Sequence, residues 1–490
     1  MLYGQLSLKL SPYSDLYDIL VPKDNILRKI KENVDFSFVN EMVADSYCAY
    51  LGRPAKEPEM MFKLLFLKTW FDLSDREVIE NSRVNMAYKY FLDLNPEDDL
   101  VDPSLLTVFR KTHINGEDIM DEMIAETIKQ AIEKGVIKSS SIIVDATHTK
   151  SKTNKETPTQ QLRRLTKNLR KEIYRIAFEL STQFPEKPAE TDTLDDEISY
   201  TVKLINVVKK SLVNSHNTTV EKQVNYIEEI LENRKIERMQ SVVDIDAKTG
   251  YKSVNDPFFG YKTHIAMTQD RIITAAEVTS GEVNDTTQLK TLIEKTEKVG
   301  IEIDEVLADA AYSSNGNIEY MNKKNIKPIT RKKKFPVPEE NPEKGFTYNK
   351  DAGTYACKAG YLAKSKRLKK RKGLSRHRNN AMEYFFDISK CQTCPYRDGC
   401  YKPGAKQKVY TVTLIEKHND PHKEFEETEY FKETIKQRYK IEAKNGELKE
   451  AHGFDKCKYM GLNGMKIQAG LTVFVANIKR IIKLMEPKLA

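Results

Sequence analysis

One short stretch constrains the fold more than any other. Up to about residue 135 the chain reads as helix, and at SSSIIVDATHTKSK the pattern changes abruptly. Ser141 to Thr147 is a β-branched run ending on a carboxylate and small polar residues, which predicts a buried strand with Asp145 at its end. Strand signals return at GYKTHIAMT (260–268) and RIITAAEVTS (271–280), divided by a turn at Gln269-Asp270, so these two make a hairpin. A helix over Asp285 to Val299, the strand DEVLADAAY, a helix near Asn315 to Lys324 and the short strand IKPIT follow. Strands alternating with helices predict a mixed sheet flanked by helices, an α/β layer architecture.

The flanking segments obey different patterns. GRPAKEPEMMFKLLFLKTWFDLSDREVIENSRVN holds two helical patterns, with Ser74 and Glu77 as a capping box, and Asp102-Pro103-Ser104 opens another helix. Short helices joined by tight turns suit a helix-turn-helix-like DNA reader; they read equally as a bundle that only packs against the rest. Residues 155–240 are helical and highly charged, interrupted by PEKPAETDTLDD, and predict an inserted helical hairpin. Residues 332–430, rich in Lys, Pro, Gly and Cys, read as a second insertion, and a helical block from Phe431 to Lys483 closes the chain.

At 490 residues the chain is long enough for roughly three domains, and 39% hydrophobic residues argue against wholesale disorder. The net charge of +8 and a pI near 8.8 are compatible with a nucleic-acid partner. Six cysteines and the lack of a signal-peptide pattern argue against a secreted disulfide scaffold and point to a reducing, cytoplasmic setting. The most hydrophobic segment, Met465 to Met485, is broken by Lys466, Gln468, Asn477, Lys479 and Arg480, so it predicts an amphipathic helix and not a membrane span.

Three carboxylates stand out. Asp145 and Asp309 (in VLADAAYSS) each follow an apolar β run, and open α/β sheets gather functional groups at the carboxyl ends of strands. Singly, each also reads as a turn or cap residue. In KETIKQRYKIEAKNGELKEAHGF, Arg438, Glu442 and Lys449 are spaced by four and seven residues and share one helical stripe; a solvated, ion-paired face has the same spacing. Combined, they suit phosphodiester chemistry, which uses two hard cations roughly 3.5–4 Å apart. Mg²⁺ prefers oxygen ligands, and Arg and Lys hold phosphates by charge-assisted hydrogen bonds.

VDATHTKSK, GYKTHIAMTQDRIITAAEVTSGEVNDTTQL, VLADAAYSS and RYKIEAKNGELKEAHGF, in that order, resemble bacterial DDE transposases, specifically the insertion-sequence 1182 group related to the insertion-sequence 4 and 5 types. DLYDILVPKDNILRKIKENVDFSFVN and LGRPAKEPEMMFKLL resemble that group's N-terminal helical domain, and CKYMGLNGMKIQAGLTVFVANIKRI resembles its C-terminal tail. The resemblance implies an RNase H-like core. In it Asp145, Asp309 and Glu442 bind two Mg²⁺ (or Mn²⁺) ions and do the catalysis, with Arg438 and Lys449 on DNA. Ile435 occupies the position where the related signature has tyrosine.

On this reading the organisation is a helical DNA-binding domain (1–135), a first core segment (136–154), the helical insertion (155–240), a second core segment (241–331), the basic insertion with its cysteines (332–430) and the C-terminal helical part carrying Glu442 (431–490). Cys391 and Cys394, with Cys400 and Cys357, make a candidate structural Zn²⁺ site; unliganded or redox cysteines are the other reading. Cys48 and Cys457 read as buried small hydrophobes. The run KSKRLKKRKGLSRHR carries nine Lys and Arg and no acid, including Lys366, Arg367, Lys369, Lys370, Arg371 and Lys372. It predicts phosphate contact, or else a solvated loop. Tyr355, Tyr361, Tyr384 and Phe385 read as base-stacking residues or as the insertion's own core. His264 reads as a hydrogen-bonded sheet histidine before a catalyst, His148 as a loop residue before a group supporting Asp145, and Asp244 and Asp246 as turn formers or auxiliary ligands.

The expected function is a transposase that binds the ends of a mobile element as a homodimer on double-stranded DNA, cuts with activated water and joins the freed 3′-OH to target DNA. Two competitors are an RNase H-like nuclease that cuts without joining and a domesticated DNA-binding protein without catalysis. The presence of Asp145, Asp309, Glu442, Arg438 and Lys449 argues against the latter.

Overall fold

The computed structural model describes residues 11–48, 55–116, 118–189, 193–211, 218–253, 256–332, 345–349, 351–369, 381–402, 404–413 and 421–486. The chain divides into two compact units, Met1–Lys152 with Gly260–Lys334 and His418–Ala490, and Thr153–Phe259 with Phe335–Lys417.

Five strands of a six-stranded sheet build the first unit: β1 (Ser141–Lys150), β2 (Asp256–Thr268), β3 (Ile273–Ser280), β4 (Glu305–Ala308) and β5 (Lys327–Ile329). Their order is β3-β2-β1-β4-β5. The first three are antiparallel, and β4 and β5 run parallel to β1. This is the mixed sheet flanked by helices that the sequence predicts. Ile142, Val144, Ala266, Val306 and Ala308 alternate onto one face and bury against Leu289, Leu292 and Ile293 of a helix over Leu289–Lys298. A further helix over Asn315–Lys323 adds Ile318 and Met321 to that core. A fully buried aliphatic side chain of this kind contributes about 1.5–3 kcal/mol.

β1 is longer than its apolar run predicts. Its polar half, through Thr147 and Thr149, stays extended because β2 pairs with it as far as Lys150↔Gly260. The close approach there needs glycine: a Cβ on Gly260 would lie 2.1 Å from the Thr149 carbonyl oxygen and 2.6 Å from the Ser151 nitrogen. Asp145 therefore lies in mid-strand, which corrects its expected place at the strand's end.

The N-terminal helices belong to the same unit as the sheet. Ser74 and Glu77 form the capping box, and Asp102 caps the helix Pro103–Thr112 through Ser104 N at 2.8 Å. The helix Pro58–Trp70 packs against the last helix, Gly461–Met485, where Phe474 meets Phe36, Phe62 and Phe66. The amide of Asn477, fully buried, accepts from Ile273 N and donates to Ile273 O, each at 2.8 Å, and donates to Thr127 Oγ1 at 2.9 Å. One side chain thus satisfies both backbone groups of a strand residue where a bulge at Ala266/Met267 interrupts the β2–β3 register.

The second unit opens with three helices, Pro158–Ile176, Leu194–Ser211 and Thr218–Leu231, in place of the expected hairpin. Each contributes an apolar stripe to one core: Leu169 and Ile173, Leu204 and Ile205, Val224 and Ile227. The basic insertion contributes a three-stranded sheet, Lys408–Thr413, Ala381–Phe386 and Ser365–Lys369, and a strand pair, Phe346–Asn349 with Thr354–Cys357. Tyr355 and Tyr384 are buried in the core beneath these strands with Phe346, Phe386 and Val412, which removes them as base-stacking residues. Within this unit the Arg238 guanidinium lies 4.8 Å over the Tyr396 ring, so the two insertions share one body.

Candidate active site

Two ladders of different length place the first carboxylates. β1 and β4 run parallel only as far as Val144↔Ala308, whereas β1 and β2 stay paired for six more residues. Asp145 and Asp309 are the next residue on each strand, so they leave the parallel ladder side by side. Asp145 is held opposite Ile265. Asp309 begins a turn: its Oδ1 accepts from Ala311 N at 2.7 Å, its carbonyl from Tyr312 N, and Thr330 Oγ1 donates to that carbonyl at 2.8 Å.

Burial, then the neighbouring Asp309 carboxylate and more weakly Asp285, push the Asp145 carboxyl up to about 6. The Arg438 guanidinium and the Ala146 backbone N–H pull the other way without prevailing. Two carboxylates crowded in a partly desolvated pocket are costly unless a cation sits with them. The donors are all oxygen, so the pair fits a hard divalent cation.

The third carboxylate comes from the helix over Tyr439–His452, which follows a short 3₁₀ turn at Lys436–Arg438. It ends at Gly453, in the left-handed region at φ 60°, where an added Cβ would lie 2.3 Å from Asp72 Oδ1. Ile441 and Leu448 bury one side, and Lys444 is buried with Glu447 Oε2 at 2.8 Å. Of the stripe Arg438, Glu442 and Lys449, Arg438 is the member whose charge acts on Asp145. Arg438 Nη2 is 4.0 Å from Glu442 Oε1, and Arg438 Nε is buried with no partner. Glu442 itself is exposed and Lys449 half-buried.

Asn445, three residues beyond Glu442, reaches β1 from this helix, and its Nδ2 donates to Asp145 Oδ2 at 3.1 Å. Reading residue by residue missed it, although its spacing puts it on the same helical face as Glu442. Among the described residues, no group of three or more His, Cys, Asp or Glu gathers tightly enough to hold a metal ion. Asp145 and Asp309 neighbour each other, and Glu442 stands one helical turn from Asn445, which touches Asp145.

His264 is fully buried with Nε2 2.9 Å from Thr279 Oγ1, and burial, then the Lys262 charge, push it down to about 3, so it stays neutral. His148 lies within β1, not in a loop. Asp244 follows a turn in which Ser241 Oγ accepts from Val243 N and Asp244 N, each at 3.2 Å.

The cysteines are all unbridged. Cys357, Cys391 and Cys400 pack against the insertion's aromatic core. Burial, and then the charge of the other sulfurs, raises the Cys357 and Cys391 thiols. Cys457 is buried as expected, but Cys48 is exposed, which corrects its expected burial. Of the basic run, Lys366, Arg367 and Lys369 lie on the exposed strand Ser365–Lys369. Glu383, on the neighbouring strand, takes Arg367 Nη2 at 2.7 Å and Lys369 Nζ at 2.8 Å, while Lys366 Nζ donates to Gly353 O at 3.0 Å. Lys370, Arg371 and Lys372 lie outside the described residues.

Residues 219–478 match the transposase DDE domain family, more than half of the chain. The chain belongs to the DDE transposase family. A second family, a transposase domain (DUF772), matches residues 15–112, so the transposase carries both an N-terminal and a catalytic-region match. This transposase also aligns with the piggyBac transposase in a synaptic complex with hairpin DNA, at 9% identity and a TM-score of 0.31, over 93% of this chain and 74% of that one. No curated protein matches its sequence. Among the described residues, no helix of the transposase is long and apolar enough to cross a membrane.

Proposed function

We propose that this DNA transposase, of the insertion-sequence 1182 group, binds the ends of its own element, cuts them and joins them to target DNA. The observation that carries the reading is the adjacency of Asp145 and Asp309 beside the Arg438 and Asn445 side chains. Asp145, Asp309 and Glu442 are the residues that would hold a pair of Mg²⁺ or Mn²⁺ ions. When bound, such ions supply Lewis acidity, acidifying a water and offsetting charge on phosphate oxygens.

The chain's own residues do the rest. Arg438 and Lys449, on one stripe with Glu442, hold the flanking phosphates by charge-assisted hydrogen bonds. Asp145 and Asp309, fixed by the sheet, would hold the ions at one place, while Arg438 and Lys449 keep the phosphates in one orientation, which lowers the entropic part of the barrier. Water attacks phosphorus, the P–O3′ bond breaks, and a 3′-OH and a 5′-phosphate are left. The 3′-oxygen then attacks a target phosphorus, loses its proton to solvent and expels a target 3′-oxygen, so joining costs no external energy source. The N-terminal helices and the exposed basic strand contact the element ends, and two copies hold two ends, which makes the working unit a homodimer.

For the cysteines, the finer reading is structural Zn²⁺ on Cys357, Cys391, Cys394 and Cys400, supported by sulfurs that lie near enough to one another to interact electrostatically. One Zn²⁺ per chain after purification without chelator supports it, and a substoichiometric content refutes it.

A strand-transfer assay with paired-end DNA tests the main reading. Cleaved ends joined to target support it; cleavage without joining assigns the chain to plain nucleases. DNA binding with no cleavage in Mg²⁺ or Mn²⁺ assigns it to non-catalytic binders.

A further inference from the structure

Asn445, on the Tyr439–His452 helix, is hydrogen-bonded to a sheet carboxylate, that of Asp145. An ionised carboxylate only accepts, so the contact fixes the amide with its nitrogen toward Asp145 and its oxygen turned away. That oxygen, Oδ1, is buried and has no hydrogen-bond partner. A buried unsatisfied acceptor costs about 1–3 kcal/mol, and asparagine is a poor helix former, so neither packing nor helix stability explains this residue. Lys444, buried on the same helix, has its partner in Glu447.

Asp145 faces a like charge in Asp309, which favours rotation of its carboxylate away from the shared space. Two donors oppose that rotation: the Ala146 backbone N–H and Asn445 Nδ2.

We infer that Asn445 is a positioning residue: its amide locks the Asp145 carboxylate beside Asp309 and leaves its own Oδ1 as one more buried oxygen for the site. The inference rests on the reading that Asp145 and Asp309 hold a divalent cation. Partners that orient a ligating carboxylate are worth roughly 10- to 100-fold in metal affinity.

The test is a calorimetric Mn²⁺ titration of the full chain without DNA, alongside cleavage rate against Mn²⁺ concentration, DNA affinity and thermal midpoint. The variants are Asn445→Ala, Asn445→Leu, Asn445→His and Asp145→Asn. The expected result is roughly 10- to 100-fold weaker Mn²⁺ binding in Ala and Leu, with DNA affinity held and cleavage partly restored at high Mn²⁺. Histidine, which keeps an N–H donor, recovers part of the loss. Parent-like Mn²⁺ binding in Ala and Leu overturns the inference, as does a loss that only tracks the folded fraction. Asp145→Asn separates the two levels: if it binds Mn²⁺ like the parent, the carboxylate reading fails whatever Asn445 does.

Discussion

Asp145 and Asp309 occupy neighbouring positions, one step beyond the Val144↔Ala308 pair of two parallel strands, and the Asp309 carboxylate raises the cost of ionising Asp145. The sheet brings together two acids 164 residues apart in the chain (309 − 145) and holds them where only one ladder continues.

That crowding has a measurable cost in metal-free protein. The folded Asp145 titrates near 6, above an unfolded carboxylate near 4, so the fold binds the proton more tightly. The associated stability is fully present below about pH 4, is lost as pH rises toward 6, and is absent above. Asp145→Asn should therefore stabilise the metal-free protein at pH 7.5 by about 1–3 kcal/mol, with the gain vanishing near pH 4. Thermal midpoints against pH in chelator check this, and a destabilised variant at neutral pH would sink it.

Glu442→Gln should abolish cleavage while leaving the fold intact, because Glu442 is exposed and its ion-pair contact with Arg438 is long, at 4.0 Å. The expected stability change is within about 0.5 kcal/mol, as for other surface substitutions. Undiminished cleavage by this variant would remove Glu442 from the site.

A buried charge network ties the N-terminal helices to the chain's end. Asp75 accepts from Arg110 Nη1 at 2.9 Å and from Lys68 Nζ at 2.5 Å, and both cations lie against the Tyr459 ring. Burial works to raise the Asp75 carboxyl, but the Arg110 hydrogen bonds and the Lys68 charge outweigh it and hold it at about 2. Asp75→Ala leaves two cations buried without their anion and should cost about 3–5 kcal/mol in denaturant unfolding.

Asn477→Leu should be as damaging as a core cavity despite preserving volume. It strands the N–H and carbonyl of Ile273, each worth about 1–3 kcal/mol when left unsatisfied in the interior. Hydrogen exchange should show loss of protection concentrated in β3 before the rest of the sheet.

Glu383→Gln tests the basic strand. Its carboxylate pairs with both Arg367 and Lys369, so its removal frees two cations for phosphate. DNA affinity should rise, and the slope of log K against log salt should steepen by about 1–2. An unchanged slope would take this strand off the DNA.

Much of this protein was legible in local pattern. The β-branched run before Asp145, the apolar run before Asp309, the capping box at Ser74 and the stripe of Arg438, Glu442 and Lys449 all follow from period and side-chain chemistry. Asn445 was not, because nothing in KNGELKE says which polar residue of a helical turn faces a strand 300 residues earlier. The mid-strand place of Asp145 was hidden as well: whether Thr147 and Thr149 extend or turn depends on the partner that β2 supplies. Glu383 likewise neutralises cations that looked free in the linear run.

Residue order alone singled out the side chains proposed for phosphodiester chemistry and most of the strands and helices, since those depend on neighbours within a few residues. Distance settled the rest. Ladder length, burial and the approach of a late helix to an early strand are long-range terms, and they decide which acids meet and what each one's proton affinity becomes.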